Sequence, residues 1–364
     1  MPRFPATVLA ACAAAALSAT AALAQTRTVN VYNWTDYIGE TTLADFTAAT
    51  GIQVNYDVYE SNDVLQAKLS VGNTGYDVVV PTAEPFFARQ IRANLFQPLD
   101  RSKIPNWSNL DPELMRLVET ADPGNRFGVI YQWGTNGLGY DAAKLKARLP
   151  DAPLDSWRLL FDPEVVRHFE DCGVYVLNSP TEVLPLVLHY LGRDPNSQTE
   201  ADLRAAQEHM MRIRPFIRQF RSTLIDDLAT GEACLALSFS GDVLQAAVRA
   251  EEAGGPEITY SIPVEGTMLW FDMMAIPADA PNPDAAHAFI NYVLEPRVMA
   301  GITDFVQYGN AVPASLEFVD PAVREDPLVF PTAEMKARMF TVRPATQQYD
   351  RLRTRAWTQI TTGR

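Results

Sequence analysis

Histidine and cysteine are scarce in this chain, four and three among 364 residues. His168, His189, His209 and His287 are scattered, with none of the paired spacing that a metal site needs. Three of them fall on helix-like segments without a partner four residues on, where surface placement is expected. There is no Cys-x-x-Cys pair, which argues against redox catalysis and against zinc. The glycine motifs of cofactor chemistry are missing as well. No Gly-x-x-x-x-Gly-Lys loop exists, and Gly137-x-Gly139 lacks the third glycine of a dinucleotide fingerprint. No Gly-x-Ser-x-Gly elbow is present; Ser238-Phe239-Ser240-Gly241 is only superficially similar. Neither a metal nor a cofactor is therefore expected. Past residue 24, no stretch approaches the roughly 20 apolar residues of a membrane helix. Positive charge is also short: 30 Lys and Arg face 44 Asp and Glu, for a net charge of −14. An acidic surface disfavours nucleic acid, whose phosphates demand a basic stripe. It suits a cationic ligand, although acidity also simply aids solubility.

The first 24 residues read as a signal peptide. Arg3 supplies the positive start, an alanine-rich apolar stretch follows, and Ala22-Leu23-Ala24 predicts cleavage before Gln25. Leu9-Ala10-Ala11-Cys12 resembles a lipobox, but the apolar run continues to Leu23, which only an ordinary signal needs. Cleavage leaves 340 residues with a net charge of −15, more than one core usually organises, so two domains are expected. Cys172 and Cys234 remain in an exported chain, as one disulfide or as two buried thiols.

What is present is alternation. Strand-like Thr28–Asn33, Gln53–Val58 and Asp77–Val80 interleave with helix-like Leu43–Ala49, Asp63–Val71 and Phe86–Ala93. That order predicts a mostly parallel sheet with helices on both faces. After a polar, proline-bearing stretch, Phe127–Trp133 reads as a strand, and the glycines of 134–141 mark a crossing between domains. A second set follows: strands Gly173–Leu177 and Ala233–Phe239, and helices Ala142–Leu149, Thr181–Leu191 and Ala201–Ile213. Glu257–Ile262 and Met268–Ile276 look like strands returning to the first domain, and Ala285–Val293 is an amphipathic helix.

Three segments pair an aromatic with a carboxylate at strand ends: Trp34-Thr35-Asp36-Tyr37, Phe239-Ser240-Gly241-Asp242 and Trp270-Phe271-Asp272. Glu84, Glu182 and Tyr308 are single residues of similar type. An organic diammonium needs this mixture, with carboxylates for its charged ends and aromatic faces for its methylenes. Taken singly, each pair is more often a core aromatic beside a helix cap or a solvated acid.

The run Tyr32-Asn33-Trp34-Thr35-Asp36-Tyr37-Ile38 closely resembles the mature N-terminus of periplasmic polyamine-binding proteins, above all the putrescine-binding branch. The resemblance continues through Gly75-Tyr76-Asp77-Val78-Val79-Val80-Pro81, Phe96-Gln97-Pro98-Leu99-Asp100 and Asn109-Leu110-Asp111-Pro112-Glu113-Leu114. It resumes at Tyr190-Leu191-Gly192-Arg193-Asp194-Pro195-Asn196-Ser197, at Ser240-Gly241-Asp242-Val243 and in the tail Arg353-Thr354-Arg355-Ala356-Trp357-Thr358.

That resemblance implies a type II periplasmic binding protein fold of class α/β, two α/β lobes with a hinged ligand cleft. The expected lobes are 25–136 with 263–307, and 137–262 with 308–364. Trp34, Tyr37, Phe239, Trp270 and Tyr308 would form an aromatic box. Thr35 and Asp36 would meet one amine, Thr82 would stand where the family has a serine, and Glu182, Asp242 and Asp272 would bind amines. Cys172 and Cys234 would be bonded. Three departures put ligand choice in question. Phe239 replaces a common Trp; Trp270 replaces a Phe and matches the spermidine-binding relatives; Glu84 replaces a Ser, beside an apparent insertion at Pro85. The implied function is capture of a small polycation (putrescine, agmatine or spermidine) in the periplasm by a monomer that delivers it to the membrane permease of an ABC importer. Competing readings are a sensor input, the same fold tuned to another solute, and an amine- or glycan-acting enzyme.

Overall fold

The computed structural model describes residues 27–364; the expected signal peptide and Cys12 lie outside them. Three parallel strands come first, each ending where the chain turns into a helix or loop. They are β1 (Thr28–Trp34), β2 (Gln53–Tyr59) and the short β3 (Val78–Val79), with β1 between the other two. Helices Thr42–Thr50 and Asn62–Val71 make the crossovers. The first stops at Gly51, whose φ of 71° is the left-handed conformation that glycine adopts without strain.

The organising element is β4 (Gly128–Asp141), fourteen residues all buried. The sequence suggests a strand followed by a crossing point; the two are one continuous strand. Up to Thr135 it pairs antiparallel with β9 (Leu269–Ala275). From Asn136 it pairs with β7 (Leu235–Phe239), and from Leu138 also with β8 (Ile258–Ser261). Its glycines permit this double partnership. A β-carbon at Gly137 would stand 2.5 Å from the Ser261 carbonyl oxygen and the Tyr260 hydroxyl.

Two half-sheets thus share one strand. In the first lie β2, β1, β3 and β9, joined by β10 (Gly309–Asn310). In the second, β7 pairs parallel with β5 (Val174–Leu177), and β5 with β6 (Gln219–Arg221). The sheet is mixed rather than mostly parallel, because β9, β8 and β7 all run antiparallel to β4. Of the two strands expected to return to the first half, only β9 does so. β8 stays on the second stretch of β4.

Residues 308–364 divide between the halves. β10 pairs with Gln132 and Trp133 in the first, and Phe330 packs on the Trp133 ring at 6.2 Å. Asn310 anchors this segment through hydrogen bonds to the side chains of Thr303 and Ser315. The helix Gln347–Thr362 instead packs on Glu200–Ile213 and Pro180–Tyr190 of the second half.

Cys172 and Cys234 form a disulfide beside β5 and β7, with Cα atoms 5.5 Å apart. Two histidines expected at the surface are buried, because each finds a backbone partner there. His209 Nε2 lies 2.7 Å from the Phe161 carbonyl, and His287 Nε2 accepts the Asp100 N–H at 2.9 Å. Among the described residues no helix is long and apolar enough to cross a membrane.

Candidate ligand-binding cleft

Parallel strands of an open α/β sheet present their carboxyl ends to ligand. Here the ends of β1, β2 and β3 in one half face those of β6 and β7 in the other, across a cavity of about 510 Å³, part of it open to solvent. Trp34, Thr35 and Tyr37 follow β1, Thr82 follows β3, and Trp270 and Asp272 come from β9. Phe239 ends β7, Asp242 lies in the first turn of the helix Ser240–Glu252, and Glu182 in that of Pro180–Tyr190. Tyr308 closes the floor.

Aromatic rings make most of the wall. Phe239 and Trp270 meet edge to face at 5.7 Å, Trp270 and Tyr308 at 5.2 Å, and Tyr308 and Tyr37 at 5.3 Å. Trp34 packs on Tyr59 at 4.7 Å and donates its indole N–H to the Val80 carbonyl at 2.8 Å, which fixes its ring.

Three buried carboxylates occupy the polar positions. Asp272, only 4% exposed, accepts hydrogen bonds from Thr82 Oγ1 at 2.7 Å and Tyr37 Oη at 3.0 Å. Thr82 is itself held by Asn62, which donates to its hydroxyl and accepts its N–H. Asp242 accepts from Tyr308 Oη at 2.7 Å. Glu182 is buried, and its Oε2 has no hydrogen-bond partner among the described residues.

Among the described residues no Lys, Arg or His lines this cavity, and none forms an ion pair with the three buried acids, although the Arg249 charge outside the cavity acts on Asp242. Burial pushes Glu182 up to about 8, and repulsion from Asp272 adds to the shift. Burial raises Asp272 to about 7 against the opposing pull of the Thr82 and Tyr37 hydroxyls. Asp242 is raised to about 6 by burial, with the Tyr308 hydroxyl opposing. Such a cluster repels anions and stores unfavourable charge that an incoming cation relieves. Among the described residues no three His, Cys, Asp or Glu side chains converge as a metal ion would require. Separated acids set in an aromatic box fit an extended organic cation better.

Ten of the twelve residues expected at the site line this cavity. The other two do not. Asp36 turns outward in a left-handed conformation, φ 54°, and pairs with Arg249 Nη2 at 2.9 Å. Glu84 sits in the turn Ala83–Phe87, where its own backbone is extended (φ −119°, ψ 134°), and it lines a neighbouring cavity instead. Four lining residues were not anticipated: Tyr59, Glu60, Ser222 and Thr223. Tyr59-Glu60 is another aromatic–carboxylate pair at a strand end, so the same criterion would have found it. Ser222 and Thr223 follow β6, a three-residue strand with no legible periodicity.

Residues 41–332 match the family model described as bacterial extracellular solute-binding protein. The chain is 46% identical over 367 residues to the putrescine-binding periplasmic protein SpuD of Pseudomonas aeruginosa (strain UCBPP-PA14), with 100% of both chains covered. It is 47% identical over 360 residues to the putrescine-binding periplasmic protein PotF of Escherichia coli (strain K12), covering 98% of this chain and 97% of that one. Among solved structures, the spermidine/putrescine ABC transporter substrate-binding protein PotD from Streptococcus pneumoniae gives a TM-score of 0.75 at 27% identity. That alignment covers 93% of this chain and 99% of the other.

Proposed function

Because the chain belongs to the family of bacterial extracellular solute-binding proteins, we propose that its cleft captures a polyamine in the periplasm and presents it to the permease of an ABC importer. One observation carries the reading: three buried carboxylates, none with a basic partner, face one another inside an aromatic box. Each protonated amine takes a carboxylate, and the rings cover the methylene spine and attract its charged ends. The leader at 1–24 exports the chain, and the protein works as a monomer.

The cleft lies between two lobes that exchange strands through β4. One lobe comprises residues 27–136 and the return through β9 and β10; the other comprises 137–262 and the C-terminal helix. Trp34, Thr35, Tyr37, Thr82, Trp270 and Asp272 belong to the first and Glu182, Phe239 and Asp242 to the second, so an amine binds fully only when the lobes are together. The closed form is populated because ligand binds it better than the open one. No bond in the ligand has to break, and it leaves unchanged at the permease.

Titration calorimetry of the ligand-stripped protein with putrescine tests this. Near 1:1 binding with a dissociation constant around the micromolar range, about −8 kcal/mol, is expected. Folded protein that gives no heat with putrescine, agmatine or spermidine would reject the reading. Asp272→Ala removes the acid held by Thr82 and Tyr37 and should weaken binding at least about tenfold. Unchanged affinity would remove Asp272 from the site.

A further inference from the structure

Beside the main cleft lies a second cavity that shares Thr82 and Trp270 with it as a common wall. Its other walls include the apolar Leu117 and Val342 and the hydroxyl-bearing Thr120 and Thr341. Glu84 also lines it, and both carboxylate oxygens of Glu84 are buried without a hydrogen-bond partner among the described residues. A buried carboxylate with neither oxygen hydrogen-bonded is costly unless something occupies the cavity. The chemistry of the walls defines the occupant. Methylene groups suit Leu117 and Val342, hydroxyl oxygens accept N–H donors, and a carboxylate without a cation calls for an ammonium.

We propose that this side cavity is a subsite for the far aminopropyl arm of a triamine, with Glu84 binding its terminal ammonium. The proposal rests on the polyamine reading of the main cleft and adds the ligand's length to it. A diamine is fully accommodated by Glu182, Asp242 and Asp272; a longer ligand passes the Thr82–Trp270 wall and gains a further acid, Glu84. Burial raises Glu84 to about 7, while the nearby Thr120 hydroxyl, outside hydrogen-bonding geometry, and the Arg92 charge pull the other way. A bound ammonium therefore favours its ionised form.

The test compares putrescine and spermidine affinities by calorimetry at pH 8, for wild type, Glu84→Gln and Glu84→Ala, each checked for folding by thermal unfolding. The spermidine-to-putrescine affinity ratio should fall at least about tenfold in both variants, the loss expected for one desolvated charge pair. An unchanged ratio overturns the subsite, as does wild-type protein that binds putrescine and not spermidine. Wild-type protein that binds neither amine overturns the underlying polyamine reading instead, so the two failures are distinct.

Discussion

Glu182 shows what a cationic site costs the empty protein. Its carboxyl titrates near 8 in the fold and near 4.3 in an unfolded chain. The folded state therefore holds a proton that the unfolded state has released. Below about pH 4 both states are protonated, and Glu182 exacts no penalty. As pH rises towards 8 the penalty grows, because ionisation favours the unfolded chain. Glu182→Gln should accordingly stabilise the ligand-free protein at pH 8 by about 0.5–2 kcal/mol, lose that advantage near pH 4, and weaken amine binding. Thermal unfolding at the two pH values, beside a putrescine titration, checks all three; a variant less stable at pH 8 would contradict the account. Asp242 and Asp272 were legible in the sequence because an aromatic stands close beside each. Asp36 satisfied the same pattern and failed, since the left-handed turn that aims its side chain at Arg249 leaves no trace in residue type.

At the scale of elements, spacing matters more than charge. Gly241 opens the helix Ser240–Glu252, where a β-carbon would sit 2.5 Å from Tyr308 Cδ2 and from the Val306 carbonyl oxygen. Glycine there lets the Tyr308 ring close on Asp242, whose backbone N–H donates to Tyr308 Oη at 3.1 Å. Gly241→Ala should push Tyr308 aside, destabilise the fold by about 1–3 kcal/mol and weaken amine binding. Denaturant unfolding and a ligand titration measure both effects; native stability with native affinity would show that the helix shifts freely. Some helices could be read from periodicity nearly to their ends, as with Pro180–Tyr190 and Glu200–Ile213, whereas Ser240–Glu252, Pro296–Val306, Gln347–Thr362 and the outer strand β6 were not anticipated. β4 could not be read as one strand, because its glycines look like a break locally and are required only by strands that arrive more than ninety residues later.

At the scale of the molecule, two ion pairs among the described residues span the halves. Asp36, after β1, pairs with Arg249 on the helix Ser240–Glu252, and Arg89 pairs with Asp350 of the C-terminal helix at 3.4 Å. Both are partly exposed, so each contributes at most about 1 kcal/mol. Pairs that join the two halves are broken when the halves separate, so they should act on the rate of opening. Arg249→Ala should speed ligand release roughly two- to fivefold with little change in capture. Stopped-flow tryptophan fluorescence reads both rates, and unchanged release would leave the pair without a part in closure. The sequence indicated two lobes by length and alternation. Where the tail divides between them depended on Asn310 and Trp133, contacts that no local pattern records.

The central claim is that a cation binds where buried acids are held partly protonated for want of a partner. Its most direct test is the number of protons released on putrescine binding at pH 7, from calorimetry in buffers of different ionisation enthalpy. With Glu182 near 8 and Asp272 near 7, an arriving diammonium should drive both to ionise. Net proton release at pH 7, fading above pH 9, is the predicted result. Binding with no proton release, or with proton uptake, would mean that the acids are already ionised and paired in the empty protein, and would contradict the account.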